Sequence, residues 1–71
     1  MTPTETAEKL YTMYHKGYKL IVKDVFQARE LAMKCAIDQV NESLRSNKEY
    51  YLPILEELHT MCEYMGIKIK K

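Results

Sequence analysis

From Asp24 to Arg45 the chain runs without a glycine or a proline, and its apolar residues recur at three- and four-residue spacing. That pattern predicts one uninterrupted helix, opened by Asp24-Val25-Phe26-Gln27 as a capping box. On a helical wheel Phe26, Met33, Ile37, Val40 and Leu44 fall on one line. Val25, Ala28, Ala32, Cys35 and Ala36 fall beside it, with Leu31 at the edge. The apolar arc exceeds half the circumference, as in a helix sandwiched between neighbours on two sides. Ala28, Ala32 and Ala36, four residues apart, leave room for another helix to come close.

Two further helices flank this one. Thr2-Pro3-Thr4-Glu5 combines a threonine N-cap, proline at the first helical position and glutamate at the third. Ala7, Leu10, Tyr11, Tyr14 and Tyr18 then form an apolar and aromatic face opposite Glu5, Glu8, Lys9, Thr12 and Lys16. Gly17 reads as a left-handed C-cap, so the first helix is expected over about 3–16, with residues 18–23 as a connection anchored by apolar side chains. The third helix carries Tyr51, Ile54, Leu55, Leu58, Met61, Cys62 and Met65 on one stripe. Ser46 to Glu49 offers a capping box, but Pro53 is tolerated only in a first turn, so the regular helix is expected over about 51–65, stopped by Gly66. A basic tail, 66–71, follows.

At 71 residues the chain is one domain. A chain this short buries only about 60% of its unfolded surface, so help from a partner or a staple is a live possibility. The fold class is therefore all-α: a three-helix unit with a long central helix, joining copies of itself in a homo-oligomeric bundle through Phe26, Met33, Ile37, Val40 and Leu44. Leu20-Ile21-Val22, the longest aliphatic run, is too short for a signal-peptide core or a membrane span, so a cytoplasmic protein without membrane contact is expected. In that setting Cys35 and Cys62 read as reduced thiols.

Charge is unevenly spread. Residues 1–34 hold six Lys/Arg against four acids, residues 35–65 two against six, and residues 66–71 three lysines and no acid. The net charge of +1 disfavours nucleic acid as a partner, whereas the dipolar pattern suits contact between copies of the chain.

Ala7-x-x-Leu10-x-x-x-Tyr14, Ala32-x-x-Cys35-Ala36-x-x-x-Val40-Asn41-Glu42 and Tyr50-Tyr51-x-x-Ile54-x-x-Glu57-Leu58 together span most of the chain. This pattern resembles small helical proteins of Bacteroidota and their phages, a family with no assigned activity. Asn41, where the family tends to have aspartate, and Pro53 depart from it. The resemblance brings no catalytic residues. It implies a phage or mobile-element setting, where short genes often encode inhibitors or sequestrants of host defence.

Sites with chemistry are sparse. His15, Cys35, His59 and Cys62 could supply four zinc ligands, but the closely spaced cysteine pair of structural zinc sites is missing, and core thiols with surface histidines are the expected reading. Glu56-x-x-His59 has di-metal spacing, yet Glu56 reads as solvent-facing and no second such motif exists in the chain. No metal or cofactor is therefore expected. Ser43 and Ser46 have no histidine at helical distance and there is no glycine-rich phosphate loop, so a non-enzyme is expected.

The remaining cluster is Tyr11, Tyr14 and Tyr18 near Lys16, Lys19, Lys23 and Arg29, rings and cations of the kind that hold a base and a phosphate. The expected function is thus a phage-type accessory protein that counters host defence. It would sequester an anionic nucleotide-like signal between subunits or occlude a host defence protein. A structural helper acting only through helix packing and a small nucleic-acid-binding regulator are the alternatives.

Overall fold

The computed structural model describes residues 2–67, which form three helices: α1 (Pro3–Ile21), α2 (Val25–Ser43) and α3 (Lys48–Met65). Each begins where a short polar side chain satisfies the free amides of the first turn. Thr2 accepts from the Glu5 amide at 3.2 Å while the Glu5 carboxylate accepts from the Thr2 amide at 3.4 Å, closing the expected box. Asp24 accepts from the amides of Phe26 at 2.9 Å and Gln27 at 3.3 Å. Asn47, rather than Ser46, caps α3 by accepting from the Tyr50 amide at 3.2 Å.

Three helix boundaries differ from the sequence expectation, the smallest being the end of α2, at Ser43 rather than about Arg45. α1 does not stop at Gly17 but continues to Ile21, and Gly17 keeps an ordinary negative φ. The reason is tertiary. The Tyr18 hydroxyl lies 3.0 Å from the Cys35 thiol of α2, and holding that side chain on α2 requires the helix to persist past the glycine. Packing of this kind outweighs the roughly 1 kcal/mol propensity deficit of a helical glycine. α3, in turn, starts at Lys48, so Pro53 sits in its second turn and forgoes one helical hydrogen bond. Gly66 does end α3, at φ 72°, and the Ile67 amide reaches back to the Cys62 carbonyl at 2.8 Å while its side chain is buried. The rest of the expected basic tail, residues 68–71, lies outside the described residues.

The helices run up, down and up. Tyr14 donates to the Gln39 side chain and Tyr18 meets Cys35, so α1 and α2 are antiparallel, and all three pairs of helices pack together in a body of 36 × 20 × 20 Å. The first turn of α2, the last turn of α1 and the last turn of α3 therefore share one end of the molecule. α2 contributes Ala28, Ala32, Met33, Ala36, Ile37 and Val40 to the interior, α3 contributes Ile54, Leu58 and Cys62, and α1 contributes Ala7. Around them Leu10, Tyr11, Tyr14, Tyr51, Leu55, Met61 and Met65 are half-buried.

This core corrects the expected oligomer interface. Met33, Ile37 and Val40 are at most 4% exposed within the single chain, so they are interior residues and face no second copy. Leu44 is half-buried in the α2–α3 turn, and of the five residues only Phe26 is exposed. α2 is also no longer than α1: each has 19 residues, and α3 has 18. A first helix five residues longer than expected brings its last turn level with Ala32, and two companions of full length cover the apolar arc of α2.

Candidate functional site

Of the three tyrosines and four cations expected to form a ligand site, the single chain brings Arg29 near the Tyr11 phenol and sets Lys16 apart from the rings. Tyr11, Tyr14 and Tyr18 are half-buried on the inner side of α1, and Lys16, Lys19, Lys23 and Arg29 are exposed. Helix geometry separates them: Lys16 follows Tyr14 by two residues, which points the side chains to opposite faces. The tyrosines are also engaged. Tyr14 is hydrogen-bonded to Gln39, Tyr18 to Cys35, and the Tyr11 ring stacks on His15 with centroids 5.5 Å apart. Burial raises the Tyr11 hydroxyl above its ordinary pKa, partly offset by the Arg29 guanidinium, and the bond to Cys35 chiefly raises that of Tyr18. These phenols are neutral at physiological pH.

The grooves along α1 repeat this separation. One, of about 310 Å³, is lined by Met13, Tyr14, Gly17, Tyr18 and Ile21 and carries no cation. Another, of about 480 Å³, is lined by Glu5, Glu8, Lys9, Thr12, Met13 and Lys16 and carries no ring. A third, at the opposite end, departs from this: Lys9 lines it with Leu10, Val40 and Ile54 and with Tyr50 and Tyr51, whose rings meet edge-on at 4.9 Å.

The potential metal ligands are likewise dispersed. Cys35 is held by Tyr18, and Cys62 is buried, with burial and then the neighbouring Glu63 pushing its thiol pKa up. His15 has a buried Nε2 without a hydrogen-bond partner among the described residues but lies against Tyr11. Among the described residues no three His, Cys, Asp or Glu side chains converge. Both cysteines are free thiols.

What the sequence pattern missed is apolar surface left outside. Leu20 and Ile21, expected as anchors of a connection, are 86% and 80% exposed at the end of α1. Val25 and Phe26 open α2 with more than half of their surface exposed, and Tyr64 at the end of α3 is fully out in solvent. By the topology all five sit at the same end of the bundle as Lys19, Lys23 and Arg29. Apolar side chains exposed one by one are ordinary on a protein surface; the feature here is that five share one end. The signal was present in the sequence as β-prone Leu20-Ile21 next to Val25-Phe26, but it is legible only once α1 is known to extend past Gly17. No described helix is long and apolar enough to cross a membrane.

No family model, no curated protein and no solved structure matches the chain.

Proposed function

We propose that the protein is a non-enzymatic accessory protein of the phage type that counters host defence in the host cytoplasm by occluding a host protein, with copies of the chain acting together. The observation that carries this reading is the corner between α1 and α2. There Val25 and Phe26 are 58% and 52% exposed on the first turn of α2, among the exposed Lys23, Asp24, Arg29 and Glu30. An apolar pair held on a helix and rimmed by charges of both signs is suited to dock on a protein surface, with the rim charges fixing orientation and the aromatic ring supplying most of the contact energy. The tyrosine-lysine arrangement supports sequestration of a nucleotide less well, because Tyr14 and Tyr18 already spend their hydroxyls on α2. The resemblance to phage proteins supplies the setting.

Two readouts test the reading. In a host with an active defence system, the wild-type chain should relieve restriction. The double variant Val25→Ser/Phe26→Ser should not, with its circular dichroism unchanged. Equal relief by the variant would exclude this corner as the working surface. In a thermal-shift screen with linear and cyclic nucleotides the occlusion reading expects no change. Stabilisation approaching 2.7 kcal/mol at a ligand concentration about 100 times its dissociation constant would instead establish sequestration.

A further inference from the structure

Rings and a cation do meet in one groove, at the end of the bundle away from the α1–α2 corner. All three helices build it: α1 supplies Lys9, α2 ends there in Ser43, and α3 begins there with Tyr50 and Tyr51 in its first turn. Val40 and Ile54, both buried, form its base together with Leu10. Its volume of about 310 Å³ is at the small end of ligand sites, with room for a bicyclic molecule.

Two features set what the groove would take. The first is aromatic. Tyr50 and Tyr51 stand with their ring planes at 89°, and such a corner offers a flat body face contact with one ring and edge contact with the other, the arrangements that aromatic pairs favour. Tyr50 stays 53% exposed, so half of its surface is unused by the chain's own packing. The second is charge. Lys9 is the only charged residue in the lining, and it makes no ion pair or hydrogen bond among the described residues. Glu5 and Glu8 share the neighbouring groove with Lys9 but do not line this one, and the Glu5 carboxylate is already bound to Thr2. The groove therefore has one charge sign, and an anion matches it.

The other polar side chains are committed within the chain. Thr6 donates to the Thr2 carbonyl at 3.2 Å, Ser43 donates to the Gln39 carbonyl at 3.0 Å, and Gln39 accepts from Tyr14. A nucleobase or a sugar would bring polar edges that this lining leaves unpaired, which is unfavourable, whereas an apolar ring would not.

We infer that this groove is a binding site for a small amphipathic anion, a flat apolar ring system with one acidic group, the ring lying in the Tyr50–Tyr51 corner and the acid on the Lys9 ammonium. The site is separate from the Val25–Phe26 corner and goes beyond the function proposed for it.

NMR titration of the full chain with three probes that share one ring system tests this: indoleacetate, an anion; tryptophol, neutral; and tryptamine, a cation. All three should move the backbone amides of Lys9, Ser43, Tyr50 and Tyr51, and none should move those of Val25 and Phe26. Indoleacetate should bind about threefold more tightly than tryptophol, the worth of one exposed charge pair, and tryptamine should bind most weakly. Lys9→Glu should reverse that order. Tyr50→Ala should weaken all three probes alike, with circular dichroism unchanged. No saturable shift in the groove with any probe overturns the site. Binding there whose order ignores charge, and which Lys9→Glu leaves unchanged, overturns the assignment to an anion. Shifts confined to the Val25–Phe26 corner overturn the location.

Discussion

Two glycines in this chain look alike in sequence and differ in what they do. Gly66 adopts φ 72° and closes α3, so Gly66→Ala should cost about 1 kcal/mol by forcing a Cβ into the left-handed region. Gly17 is helical and uncrowded, so Gly17→Ala, measured on dilute protein, should stabilise by about 0.5–1 kcal/mol. Urea melts of both variants check the pair, and destabilisation by Gly17→Ala would contradict the uninterrupted α1. In the interior, Leu58 is 0% exposed, and Leu58→Ala should cost about 2–5 kcal/mol in the same assay. Leu20→Ser at the exposed end should change stability by about 0.5 kcal/mol at most. Titration belongs to this scale too. Burial raises the thiol of Cys62 and the phenol of Tyr11, and the Cys35 bond raises the phenol of Tyr18. All three groups are neutral when protonated, and a raised folded pKa means the folded state holds the proton more tightly. Their contribution is complete below the unfolded thiol pKa of about 8.5 and is lost as pH climbs through the raised folded values. Urea midpoints should therefore fall on the alkaline side, and a midpoint that rises there would contradict the burial of Cys62.

At the scale of elements, existence and type were readable and limits were not. Asp24 and Thr2 announce their helices because capping is settled within four residues of sequence, and both caps are in place. Gly17 misleads because its stop signal is local, whereas the Tyr18 to Cys35 contact that carries α1 onward joins residues far apart in the chain. One error led to the others. With α1 cut at residue 16, the alanine side of α2 looked uncovered, Met33, Ile37 and Val40 looked free for another copy, and Leu20 and Ile21 looked like buried anchors. The expected ligand cluster is split for a related reason: Tyr14 and Lys16 are close in sequence, and the helical turn sets them apart, while Arg29 of α2 does come near Tyr11. The start of α3 offers a test. Asn47, not Ser46, satisfies its first turn, so Asn47→Ala should cost about 1 kcal/mol and Ser46→Ala close to nothing.

For the whole molecule, three helices of nearly equal length make a bundle whose interior is complete within one chain. Its unspent apolar surface lies elsewhere, along the outward face of α1 and around the corner with α2. On the first stand Met13 and Leu20; on the second stand Val25 and Phe26, among charges of both signs. On the proposed function, the corner meets the target and copies of the chain act together. The measurement that addresses this account most directly is the light-scattering mass of the wild-type chain over a dilution series. The account predicts a mass that climbs from 8.4 kDa at high dilution to twice that value. A mass that holds at the single-chain value up to the highest concentration would contradict it.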